Sequence, residues 1–195
     1  MKIIEPAVAA LMFALLALAS GAANAGVILD IDGSGELLGA RNVLVAGTLF
    51  DLRFVDGTCI AVFDGCDSVT DFDFQTVSDA SAAAQAILDQ VIDGTPFDSN
   101  PALVHGVDGS SHLMIPFAFS SQSSALVLFR SAFNSNGTDV VGNGTFFRIN
   151  DTTGVSGNVW VDFERSRVSE PGTLLLFAAG LVGIFARRRR DRNQT

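Results

Sequence analysis

Tyrosine is absent from this sequence, tryptophan occurs once, and the single lysine is Lys2. Between Gly26 and Pro171 the only cations are Arg41, Arg53, Arg130, Arg148, Arg165 and Arg167. Nineteen Asp and Glu oppose these six arginines, a net of −13 for that stretch. The whole-chain value of −9 conceals it, because basic residues collect near the C-terminal end. So acidic a body repels phosphate backbones, which argues against nucleic acid as a partner. It favours solubility, divalent cations or basic partners. No phosphate loop, dinucleotide fingerprint or G-x-S-x-G nucleophile elbow occurs, and no internal repeat.

What is present begins with two address-like ends. Met1 and Lys2 bring positive charge, Ala7 to Ala19 is an unbroken apolar run, and Ala23-Asn24-Ala25 is a small-x-small site. That order reads as a secretory signal peptide over residues 1–25, cleaved after Ala25. The other end is SEPGTLLLFAAGLVGIFARRRRDRNQT. Its apolar run, 172–186, has 15 residues. As a helix it reaches about 22 Å, against about 30 Å of bilayer hydrocarbon. Arg187, Arg188, Arg189 and Arg190 follow at once. Basic flanks of membrane segments stay cytoplasmic, so the body is expected outside and residues 187–195 inside.

Val168-Ser169-Glu170-Pro171, a short apolar helix and a terminal arginine cluster form a tripartite tail. It resembles the PEP-CTERM sorting signal of Gram-negative bacteria, the substrate tail of exosortases. Glu170 and Pro171 match the last two positions of that family's Pro-Glu-Pro motif, and Ser169 stands at the first. The resemblance covers about Val168 to Arg192. It implies an exosortase-type membrane protease and the secretion machinery as partners. It also implies transient anchoring in the inner membrane, then release to the cell surface or medium with exopolysaccharide or biofilm material. A short tail suits that role, since it holds the protein only until it is processed, and arginines can snorkel to lengthen its span. No LPxTG-like motif of the Gram-positive type precedes the helix.

Between the ends, residues 26–165 form the expected secreted domain and 166–171 the linker and sorting motif. Asp-Gly pairs at 32, 56, 64, 93 and 108, with Asn136-Gly137 and Asn143-Gly144, mark turns. Alternating runs predict strands around Phe50–Phe54, Phe72–Phe74, Met114–Phe119, Leu126–Phe129, Thr145–Ile149 and Val159–Phe163. Pro116 would confine its strand to an edge or a bulge. Ser78 to Gly94 differs, with Ala80, Ala83, Ala84, Ile87, Leu88 and Val91 at helical spacing, Ser78 or Asp79 as cap, and Gly94 as stop. The expected fold is α+β: a mainly antiparallel β body, one amphipathic helix on a sheet face, and a short C-terminal transmembrane helix. The 13 phenylalanines of the body read as core rather than as a ligand platform.

Cys59 and Cys66 are the only cysteines. In an exported chain they are expected to pair, contributing roughly 2–3 kcal/mol by chain entropy. Free structural thiols are the alternative, and the spacing lacks the Cys-x-x-Cys geometry of redox pairs. Asp30-Ile31-Asp32-Gly33-Ser34-Gly35 resembles the opening of a calcium loop, but Arg41 occupies its twelfth position. Asp64, Asp67, Asp71 and Asp73 form a diffuse acidic edge. His105 and His112 with Asp108 could make a two-His, one-carboxylate site, yet the segment is rich in glycine and serine. Ser110 and Ser111 lack a nucleophile's surroundings. No catalytic residue, metal or cofactor is therefore assigned. The expectation is a non-enzymatic, surface-sorted protein. A secreted hydrolase and a calcium-dependent binding module are the alternatives.

Overall fold

The computed structural model describes residues 26–166, apart from 108, 110, 136–138, 154 and 156. The chain divides into two units, Met1–Glu164 and Arg165–Thr195. The expected signal peptide, sorting motif and transmembrane helix lie outside the described residues. Among those described, no helix is long and apolar enough to cross a membrane.

Seven strands make one sheet: β1 (Ile28–Ile31), β2 (Leu37–Val45), β3 (Thr48–Val55), β4 (Ser111–Ser120), β5 (Ser123–Asn134), β6 (Val140–Phe147) and β7 (Asn158–Arg165). Their order is β1-β2-β3-β7-β4-β5-β6. Neighbours β1–β2, β2–β3, β4–β5 and β5–β6 run antiparallel. The expected antiparallel pattern is broken where β7 lies parallel to β4 over His112–Met114. The sheet is thus mixed. The last strand inserts between two earlier ones rather than folding back on β6.

That insertion explains the burial. Along β4, Leu113 and Ile115 belong to one apolar cluster and Met114 to another. Along β7, Val159 and Val161 join the first cluster and Trp160 the second. Successive side chains point to opposite faces of a strand, so the central strands are buried on both sides and read as continuous apolar runs. Pro116 sits beyond the β7 pairing, at a register shift in the β4–β5 ladder, where its missing N–H is tolerated.

The predicted helix exists. It comprises α-helical Val77–Ile87 and a wider π turn, Leu88–Ile92, 16 residues together and called α2 here. α1 is the single turn Cys59–Val62 and α3 the single turn Pro96–Ser99. Thr76, rather than Ser78 or Asp79, caps α2, its hydroxyl accepting from Asp79 N at 3.1 Å. Asp93 N donates five residues back to Leu88 O at 2.8 Å, and Gly94 then adopts φ 68°. Ala80, Ala83, Ala84, Ile87, Leu88 and Val91 are buried, while Gln85 and Asp89 are exposed. Small alanines let the helix backbone approach the sheet closely. Gln90 then clasps β2: its side chain accepts from Leu44 N at 3.0 Å and donates to Leu44 O at 2.9 Å. This satisfies backbone that the four-residue β1 does not reach.

Two sequence expectations are corrected. Phe72–Phe74 is no strand. Val69–Asp71 is a 3-10 turn closed by a capping box, with Asp71 Oδ2 accepting from Ser68 N at 2.9 Å and Asp67 N at 3.0 Å. That local bonding competes with a ladder. Phe72 and Phe74 are buried in different clusters, whereas residues two apart in a strand would share a face. Asn143-Gly144 is no turn either, since both lie inside β6. A Cβ at Gly144 would stand 2.5 Å from the Phe129 ring. The glycine serves close approach rather than chain reversal. Strands β1 and β2 were not anticipated.

Candidate functional site

Each sequence candidate occupies a defined place in this frame. Cys59 and Cys66 are joined by a disulfide and fully buried. Asp64, Gly65 and Cys66 all take positive φ in the turn between them. The loop lies over Trp160, whose ring meets Phe63 edge-on at 5.7 Å and Phe146 at 5.6 Å. Trp160 Nε1 donates to Gly57 O at 3.1 Å. Arg148 Nη1 reaches Cys66 O at 3.2 Å, tying the turn after β6 to this loop.

Beside it is a polar pin that sequence reading missed. Thr152 is buried, and its hydroxyl donates to Asp56 Oδ1 at 2.9 Å while accepting from Gly57 N at 2.9 Å. Gly106, at φ 76°, presses on the Asp56 carboxylate, where a Cβ would stand 2.9 Å from Oδ2. Asp56-Gly57 looks like any turn in the sequence. Only the return of Thr152 makes it a junction.

The histidines do not converge. His105 Nδ1 pairs with Glu36 Oε1 at 2.9 Å. His112 Nδ1 meets Ser131 Oγ at 3.2 Å, and its ring lies 4.5 Å from Phe133. Burial lowers the His112 pKa, because the charged imidazolium is desolvated. Asp108 and Ser110 lie outside the described residues. Ser111 Oγ is buried without a hydrogen-bond partner among the described residues.

Asp32 turns its carboxylate inward on the β1–β2 turn. Oδ1 accepts from Ser34 N at 2.8 Å and Glu36 N at 2.9 Å. Those bonds, the Glu36 N–H first and the Ser34 hydroxyl second, hold its pKa below the usual aspartate value. Such a self-bonded Asx turn explains the Asp-x-Ser-Gly pattern without a cation. Among the described residues no group of three or more His, Cys, Asp or Glu is placed to hold a metal.

An open groove lies where α2 begins. α2 covers the sheet face that carries Ala132, and the face continues past Val77 over Arg130 and Leu128. Opposed residues of an antiparallel ladder share a face. Asn143 therefore stands beside Arg130, and Thr145 beside Leu128. Together with Phe117 they line about 430 Å³. Arg130 Nε is buried there with no hydrogen-bond partner among the described residues.

Residues 167–190 match the family model of the PEP-CTERM protein-sorting motif. The chain carries a PEP-CTERM sorting motif. The match encloses Val168, Ser169, Glu170, Pro171 and Arg187 to Arg190, all outside the described residues. A PEP-CTERM motif implies recognition by exosortase, a membrane protein, with export and transient C-terminal anchoring before surface sorting. No curated protein and no solved structure matches the chain.

Proposed function

We propose that this is a non-enzymatic, surface-sorted protein whose acidic β-rich body is delivered to extracellular polysaccharide or biofilm matrix. The observation that carries the reading is the PEP-CTERM motif at 167–190. In this reading residues 1–25 direct export and are removed. Residues 172–186 then hold the chain in the inner membrane while Arg187 to Arg190 stay cytoplasmic. Exosortase cuts near Glu170-Pro171, and the body, 26–165, proceeds to the surface. Two features of the body support a role without chemistry. His105 and His112 are engaged by different partners, Glu36 and Ser131. Asp32 spends its acceptor capacity on its own turn.

Fractionation followed by mass measurement tests the reading in a host with its own exosortase. Wild type should appear at the surface or in the medium, starting at Gly26 and truncated near Pro171. Replacing Glu170 and Pro171 with alanine should leave full-length protein in the inner membrane. Replacing the four arginines with serine should let the intact chain slip through. Wild type that stays full length in the inner membrane would reduce the tail to a plain anchor and sink the proposal.

A further inference from the structure

We infer that the groove at Arg130 binds a hydroxylated carboxylate, either a free sugar acid or the uronate unit of an acidic polysaccharide. Arg130 is set into the sheet face with Nε desolvated and no hydrogen-bond partner among the described residues. It takes no part in the ion pairs Arg53–Asp162 and His105–Glu36. Nε is closed to solvent, so a ligand in the groove meets the terminal nitrogens of the guanidinium, whose planar fork fits a carboxylate best. Asn143 and Thr145 present an amide and a hydroxyl on the same face, able to donate to and accept from sugar hydroxyls. Phe117, Leu128 and Val77 supply an apolar wall for the C–H face of a ring. The volume, about 430 Å³, falls within the range of small-ligand sites.

Charge narrows the ligand further. The groove holds one arginine, which offsets one carboxylate, while the net −13 of the body opposes any polyanion, polyphosphate and polyuronate alike. The polysaccharide source rests on the matrix reading above; the free acid does not.

The test titrates the full-length chain in detergent with glucuronate, a glucuronate oligomer, glucose and inorganic phosphate, following amide shifts by NMR. Saturable binding of glucuronate is expected, at least roughly tenfold tighter than glucose, because the carboxylate–guanidinium contact is charge-assisted. Phosphate should bind more weakly than glucuronate. An oligomer that binds more tightly than the monomer points to the polymer, and equal affinity per unit points to the free acid. Arg130→Met should weaken binding roughly tenfold or more, with Arg130→Lys intermediate. Should Arg130→Met fail to fold, Asn143→Ala with Thr145→Val carries the test, since both residues are exposed on β6. Equal affinity for glucose and glucuronate, a folded Arg130→Met that binds like wild type, or no saturation by any sugar acid would overturn the assignment. Variants that lose binding should still fractionate as wild type, so a failed site and a failed sorting reading are told apart.

Discussion

On one face of the sheet lies α2, with alanines against the strands and Ile87, Leu88 and Val91 reaching between them. On the other lies a short irregular segment closed by the Cys59–Cys66 disulfide. The helix face is sealed by backbone that satisfies its own hydrogen bonds and needs only a periodic apolar stripe. The loop face has no such regularity. It is held by local caps at Thr58 and Ser68, by a covalent closure, and by aromatic edges meeting around Trp160. Both solutions cover the same central strands. The difference teaches that a segment too short to form a long helix can still seal a face, provided its ends are pinned.

Four stability experiments and one pH experiment can break or sharpen that comparison. Trp160→Ala should have the largest effect, about 3–5 kcal/mol, because Trp160 is fully buried and anchors the whole loop face. Chemical denaturation measures it, and a loss under about 1 kcal/mol would mean the aromatic cluster is not a core. Leu88→Ala on the helix face should cost about 2–5 kcal/mol, against less than about 0.5 for exposed Gln85→Ala. Equal small losses would show that α2 is not docked.

Reducing the disulfide, or replacing both cysteines with serine, should cost roughly 2–3 kcal/mol. Hydrogen exchange should then quicken around Phe63 and Trp160 before it quickens in α2. Simultaneous loss of protection on both faces would mean the two coverings are one cooperative unit. Gly144→Ala should cost about 1–3 kcal/mol, because the added methyl meets the Phe129 ring. An additional Phe129→Leu should recover part of that loss, and no recovery would argue against the ring contact.

The smallest effect concerns pH. Folded His112 has a lowered pKa, so the unfolded chain takes up the proton first as pH falls. Stability should therefore decline as pH drops below the ordinary histidine value, and His112→Gln should flatten that decline. Melting temperatures measured across that window decide it. A wild-type curve that rises toward acid would contradict the sign.

The groove and the pin mark where sequence reading ran out. α2 was legible because its burial repeats at helical spacing, and Phe50, Leu52 and Phe54 of β3 because they alternate. β2 was not, since LLGARNVLV breaks its alternation at the register shift between Ala40 and Val43, with Asn42 at φ 61°. Phe72 and Phe74 carried a strand's alternation into a segment whose side-chain caps took the backbone instead. Arg130 looked like one arginine among six. Its significance depends on Nε being buried beside β6, a matter of register between distant strands.

Local chemistry decided the helix, the Asp32 turn and the disulfide-forming pair, because each depends on residues close in the chain. The sorting motif belongs with them, being a linear signal read from a short stretch. Tertiary structure alone decided the parallel insertion of β7 beside β4, the division of alternate side chains between two cores, and the joining of Asp56 to Thr152. It also decided the opening of the helix face at Arg130. These follow from which strands become neighbours, and that choice is set by burying both faces of the sheet at once. No single segment carries that condition.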